Sequence, residues 1–288
     1  IRVGTFQFGS LLKNREEFQN FISYTISRLY PDIDNNNDKY LKFYETICDL
    51  QIKLVVDWMR VGFIHGVMNT DNMSLSGETI DYGPAAYLDE YNPKKVFSSI
   101  DKMGRYSFEN QSKITLWNLA RFAETFLHLI DSNEKTAIKK IEDILNKYKK
   151  LFDQSWLIMM SMKLNLDTNN NNNEEIVKEF LDLMHIYKLD YTNTFLDLEN
   201  NTLDKKIFKN WEEKYKNNKL RKFKNVNPQI IPRNHIIEEI INEVYSNNYG
   251  QLYDFEKILK NPYEKIENKK YITPPIESEK VFETFCGT

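Results

Sequence analysis

The sequence predicts a mainly α-helical fold with one small β-hairpin, and three observations carry that prediction. Apolar residues recur at helical spacing through most of the chain. Residues 73–80 instead place short apolar-bearing runs on either side of Ser76-Gly77, a turn pair that reads as a tight hairpin. Asn72 and Asp81 flank that hairpin, and antiparallel pairing would bring them side by side at its open end. An amide oxygen and a carboxylate so placed suit a hard cation such as Mg²⁺, with phosphate oxygens completing the octahedron. Asp71 stands next to them. A metal–nucleotide site is the first expectation.

In chain order, residues 12–30 read as a helix with Phe18, Phe21, Ile22, Ile26 and Leu29 on one face. Pro31 and the polar run 32–38, with Asn35-Asn-Asn37, break it. A second asparagine tract, 169–173, interrupts the chain later. Such tracts bury no apolar surface and read as solvated loop insertions from a compositionally biased genome. A long helix over 40–60 carries Leu41, Tyr44, Ile47, Cys48, Leu54, Val55, Trp58 and Met59, and Gly62 ends it. Phe63-Ile64 leads directly into His65-Gly-Val-Met-Asn-Thr-Asp-Asn72. After Asp81-Tyr-Gly83 a turn-rich section runs to Gly104 without periodicity, and a loop of that length is functional or disordered. Helical patterns follow over 112–130, 137–151, 153–163, 174–185, 207–222, 236–244 and 249–259, and Thr273-Pro-Pro275 opens an extended tail.

Composition narrows the function classes. A chain of 288 residues holds one large core or two modest ones. Lys+Arg (39) and Asp+Glu (42) nearly cancel, so nothing points to nonspecific nucleic-acid binding. No apolar run reaches the length of a membrane span, and the opening has no signal-peptide pattern. Two cysteines, Cys48 and Cys286, make neither a disulfide framework nor a thiolate zinc site, and the four histidines are scattered. An intracellular or organellar soluble protein is expected. The first residue is Ile, and Ile-Arg-Val-Gly-Thr-Phe reads as mid-domain sequence, so a fragment, processed product or incomplete gene product is expected.

A mainly helical domain with Asn and Asp at the base of one hairpin describes the C-terminal lobe of a protein kinase, where H-R-D-x-x-x-x-N and D-F-G supply the metal ligands. His65 overlays the His, Asn72 the Asn, and Asp81-Tyr82-Gly83 the D-F-G. Gly66 and Val67 stand where the Arg and the catalytic Asp belong, so the usual base is missing and Asp71 is the nearest carboxylate able to replace it. The domain reading is a kinase-like C-lobe core over 1–130 with the metal site, and a helical extension over 131–288 ending in a Cys-containing tail, with the N-lobe absent.

Residues 65–84 strongly resemble the selenoprotein O family of kinase-like protein adenylyltransferases. The resemblance continues in Arg2-Val-Gly-Thr-Phe6, Gly104-Arg-Tyr106, Leu116-Trp-Asn-Leu-Ala-Arg121, Asp190-Tyr-Thr-Asn-Thr-Phe195, Asn227-Pro228, Pro232-Arg-Asn-His235 and Phe285-Cys-Gly-Thr288. It implies transfer of AMP from ATP to Ser, Thr or Tyr hydroxyls of proteins, with ATP bound in an inverted orientation. It implies Asp71 as proton acceptor, Asn72 and Asp81 as ligands of Mg²⁺ (Mn²⁺ as the alternative), and Arg2 on the nucleotide phosphates. The family's glycine-rich loop, phosphate-binding Lys and its Glu partner would lie upstream of Arg2, so the chain alone is expected to be inactive. Gly83-Pro84-Ala85-Ala86 departs from the family's Gly-Pro-Phe-Gly. Cys286 matches a redox-active Cys or selenocysteine, but Phe97 occupies the neighbourhood of the loop Cys that some members pair with it. Relatives imply a mitochondrial location in a eukaryote and a cytoplasmic one in a bacterium.

Simpler roles stand beside these. His65 fits a structural hydrogen-bonder better than a base, and His128, His185 and His235 fit core or cap roles. Arg2 next to Val3 would serve equally at a lobe boundary. Arg105 and Arg121 are expected to pair with acids, Trp117 and Trp156 to lie in the core, and Cys286 to be an ordinary thiol as readily as a redox residue. The competing functions are a nucleotide- or partner-binding pseudokinase scaffold and a conventional phosphotransferase, the latter disfavoured by Val67 in place of Asp.

Overall fold

The computed structural model describes residues 1–12, 14–33, 38–170, 172–223 and 225–285. It is mainly helical, as the periodicity predicts. In order come α1 (Val3–Ser10), α2 (Arg15–Leu29), α3 (Lys39–Val61), β1 (Phe63–Ile64), β2 (Ala86–Tyr87), α4 (Gln111–Glu124), α5 (Leu127–Ile130), α6 (Glu134–Lys163), α7 (Asn173–Ile186), α8 (Tyr191–Asn200), α9 (Lys205–Lys216), α10 (Asn234–Tyr245) and α11 (Gly250–Leu259). The chain forms two compact units, and two of the points where it passes between them fall inside α3 and α6. One unit holds Ile1–Asp57, Val67–Tyr82 and Asn110–Ser155; the other holds Trp58–Gly66, Gly83–Glu109 and Trp156–Thr288.

The first unit is built on aromatic rings. Phe6 of α1 is fully buried, with ring centroids 5.0 Å from Phe21 of α2 and 5.0 Å from Phe122 of α4. Phe43 of α3 and Phe126 complete the cluster. Asn14 caps α2, its side chain accepting from the N–H groups of Glu16 and Glu17. Cys48 is buried beside Tyr44, and burial pushes its thiol far above the ordinary range, which makes it a poor nucleophile.

In the second unit, β1 and β2 pair antiparallel, with Phe63 opposite Tyr87 and Ile64 opposite Ala86. The turn-rich section expected to be a functional or disordered loop thus contributes a strand. Phe180, Phe195, Phe208 and Trp211 form a second aromatic core, the Phe180 and Trp211 centroids 4.8 Å apart. The same unit holds a buried ionic knot, in which Arg233 donates to Asp89 Oδ1 at 2.8 Å, to Asp190 Oδ2 at 2.9 Å and to Asn193 Oδ1 at 3.2 Å.

Several expectations need correction. Residues 73–80 hold no β-strand; the turn at Ser76-Gly77 forms, but Ser74 bridges antiparallel to Arg2. The first arm found a partner distant in sequence instead of its neighbour. Patterns 137–151 and 153–163 are one helix, α6, because no glycine or proline separates them. The 112–130 pattern breaks at Thr125-Phe126 into α4 and α5. Trp117, expected in the core, is 45% exposed with the Arg121 guanidinium over its ring. Asn173, at the end of the second asparagine tract, is buried at the start of α7 and donates to Ser161 Oγ and Asp167 O, so part of that tract is structural. Residues 34–37, with the first tract, and Cys286 lie outside the described residues.

Candidate active site

The loop entering the site begins at His65, which is fully buried, its ring 5.4 Å from Trp58 and 6.3 Å from Phe63 between centroids. That is a structural setting. Gly66 follows with φ of 86°, and a side chain there would stand 2.7 Å from the Pro84 carbonyl oxygen. Position 66 therefore calls for glycine in this loop.

Residues 70–72 then form one 3-10 turn. Asn69 caps it, its side-chain oxygen accepting from Asp71 N at 2.9 Å and Asn72 N at 3.1 Å. The Asn72 side-chain nitrogen donates to Val67 O at 3.0 Å. This commits the amide nitrogen to the loop and leaves Oδ1 as the atom to offer a cation. Asn118 of α4, itself buried, donates to Met68 O at 3.0 Å and ties the loop to the helices.

From the other side the turn meets α1. Arg2 donates to the Asp71 carbonyl at 3.1 Å, Val3 N to Met73 O at 3.0 Å, and Leu75 N to Ile1 O at 3.0 Å. Thr70 and Gln7 join through their side chains at 2.5 Å. Beyond, Gln51 of α3 donates to Ser74 O at 2.8 Å, and Tyr30 donates to Leu75 O. Asp71 is exposed at the turn, and Asn72 is half-buried beside it.

Asp81 closes the segment, exposed, in the left-handed region with φ of 59°. Such a backbone is uncommon outside glycine, and short polar residues tolerate it best. Arg2, Asp71 and Asn72 are thus assembled in one place within the first unit, and Asp81 belongs to the same unit; no hydrogen bond joins it to the other three among the described residues. Sequence reasoning missed Asn69, Gln7 and Asn118. Asn69, two residues before Asp71, had a capping pattern to find; Asn118 had none beyond its place in the Leu116–Arg121 motif.

Among the described residues, no group of three or more His, Cys, Asp or Glu stands ready to hold a metal. An amide oxygen such as Asn72 Oδ1 and a carboxylate such as that of Asp81 are the ligand types Mg²⁺ takes, alongside waters and phosphate oxygens.

Residues 1–210 match the protein family described as "Protein adenylyltransferase SelO". The chain belongs to the SelO family. It is similar along its whole length to proteins named "Protein nucleotidyltransferase YdiU". The one from Pelagibacter ubique (strain HTCC1062) is 45% identical, and those from Bacillus cereus (strain AH820) and Bacillus thuringiensis (strain Al Hakam) are 38% and 39% identical. The SelO-family chain covers 100% of itself and 63% of each of these relatives. No helix among the described residues is long and apolar enough to cross a membrane.

Of the remaining sites in this SelO-family chain, Arg121 pairs with Glu124 at 2.5 Å, as expected, and the Arg105 guanidinium lies 6.0 Å from the Tyr106 ring centroid. The tail reaches the loop where Phe97 stands: Thr284 N donates to Phe97 O at 2.8 Å and Ser99 N to Thr284 O at 3.0 Å.

Proposed function

We propose that this chain is the kinase-like catalytic part of a protein adenylyltransferase, moving AMP from ATP to Ser, Thr or Tyr hydroxyls of protein substrates. In this reading residues 1–130 carry the catalytic elements and 131–288 the helical extension. The substrate oxygen bonds to the α-phosphorus, the bond to the β-phosphate oxygen breaks, pyrophosphate leaves, and the hydroxyl proton passes to the exposed Asp71 carboxylate. Arg2, whose guanidinium already lies against the Asp71 backbone, neutralises phosphate charge. Asn72 and Asp81 hold Mg²⁺, or Mn²⁺, which would screen the phosphate oxygens when bound. Cys286 serves as a redox residue without a disulfide to the 97 region, where Phe97 stands. The protein works in the cytoplasm of a bacterium or the mitochondrion of a eukaryote.

The observation that carries this reading is the capped turn at 70–72. It carries Asp71 and Asn72 as consecutive residues of one turn, in a loop where Gly66 and Val67 stand at the positions of the kinase Arg and Asp. The test is label transfer by the intact protein containing residues 1–288. Label from the α position of ATP is expected on protein, falling about 100-fold or more in Asp71→Ala, the scale of a lost general base. Transfer from the γ position alone would make it a phosphotransferase. ATP binding without any transfer would favour the scaffold.

A further inference from the structure

Resting on the reading of Asp71 as proton acceptor, we infer that Gly4 is a positioning residue that seats the Asp71 carboxylate. Gly4 is the second residue of α1, and its backbone is ordinary helix. The turn conformation does not require glycine there, and glycine is a poor helix former. The reason is proximity. A Cβ on Gly4 would stand 2.1 Å from Asp71 Oδ1, 2.8 Å from its Cγ and 3.3 Å from its Cα. The carboxylate lies directly on the Cα of Gly4.

Helix α1 cannot back away from an added methyl group. Val3 and Phe6 are both fully buried, and Phe6 sits among the rings of Phe21, Phe43 and Phe122. On the opposite flank, Asn69 and Asn118 hold the turn and the loop before it. Gln7, one turn along the same face from Gly4, fixes Thr70. The group left to move is the Asp71 side chain. A shift of about 1 Å in a reacting group is worth about 100-fold in rate. Gly4 thus sets where the carboxylate stands without itself touching substrate.

The test is a double-variant cycle of Gly4→Ala and Asp71→Ala in the intact protein, read by AMP transfer and by thermal unfolding. Gly4→Ala is expected to lower kcat about 100-fold with KM for ATP changed less than about threefold, and to add no further loss to Asp71→Ala. The unfolding temperature is expected to rise more with Gly4→Ala in the Asp71→Ala background than in the parent, because alanine then favours the helix without displacing a carboxylate. Wild-type kcat in Gly4→Ala, or rate losses that multiply, would overturn the inference. So would equal temperature shifts in both backgrounds, or unfolding in both. If the parent protein transfers no AMP, the proposed function fails on its own, and the unfolding cycle still decides whether Gly4 seats Asp71.

Discussion

Gly66 shows how a single residue can be both a departure from a motif and a requirement of the backbone. Its φ of 86° puts it in the left-handed region, and a Cβ would press into the Pro84 carbonyl at 2.7 Å and the Pro84 Cβ at 3.3 Å. Gly104 has a similar φ of 67°, but its nearest neighbour, Val96 Cγ2, is 3.7 Å away. Gly104→Ala should therefore lose only the conformational part, about 1–2 kcal/mol, whereas Gly66→Ala should lose more in chemical denaturation. At this scale the candidate residues were legible. Asp71, Asn72 and Asp81 stand out by type and order, and Asn69 carries a cap signature. What the pattern hides is that the Asn72 nitrogen is spent on Val67 O, a geometric fact with no trace in residue type.

At the scale of elements, the last turn of α3 is held from outside. Lys163, fully buried at the end of α6, donates from Nζ to the Arg60 carbonyl at 2.8 Å, and Tyr191 of α8 donates to the Met59 carbonyl at 2.8 Å. These donors satisfy carbonyls that a helix C-terminus leaves open. The Lys163 ammonium also lies 4.0 Å from the Phe195 ring centroid. Burial, and then the Arg60 charge, hold its pKa well below the ordinary lysine value. The unfolded chain thus binds a proton that the folded chain releases more readily. Its contribution is fully unfavourable below the folded pKa and is relieved as pH rises towards the ordinary value of about 10.4. Thermal unfolding followed from pH 7 to pH 10 should show the parent gaining stability relative to Lys163→Met as the pH rises. An equal pH dependence of the two would contradict a buried ammonium.

At the scale of the molecule, distant segments meet where charge is buried. Arg233, before α10, joins Asp89, after β2, and Asp190, the cap of α8. Desolvation raises the Asp89 pKa, and the guanidinium opposes that rise. Removing Arg233 leaves two carboxylates without their cation, a loss of about 3–5 kcal/mol for a buried pair. Denaturation of Arg233→Leu should show a loss on that scale, and a change near zero would mean the knot contributes no net stability.

Most helices were legible in the sequence, since an apolar face at a 3.6-residue period is a local property, and the stretch from His65 to Asp81 stood out as the candidate site by residue type and order. The pairing of residues 73–75 with Ile1–Val3, instead of a fold back on themselves, arises only in the packed chain. Packing alone brought Gly4 against Asp71, Asn118 under Met68 and Arg233 between two aspartates. Strand pairing and close approach depend on which surfaces the packed helices leave available, and no local period encodes a partner dozens of residues away.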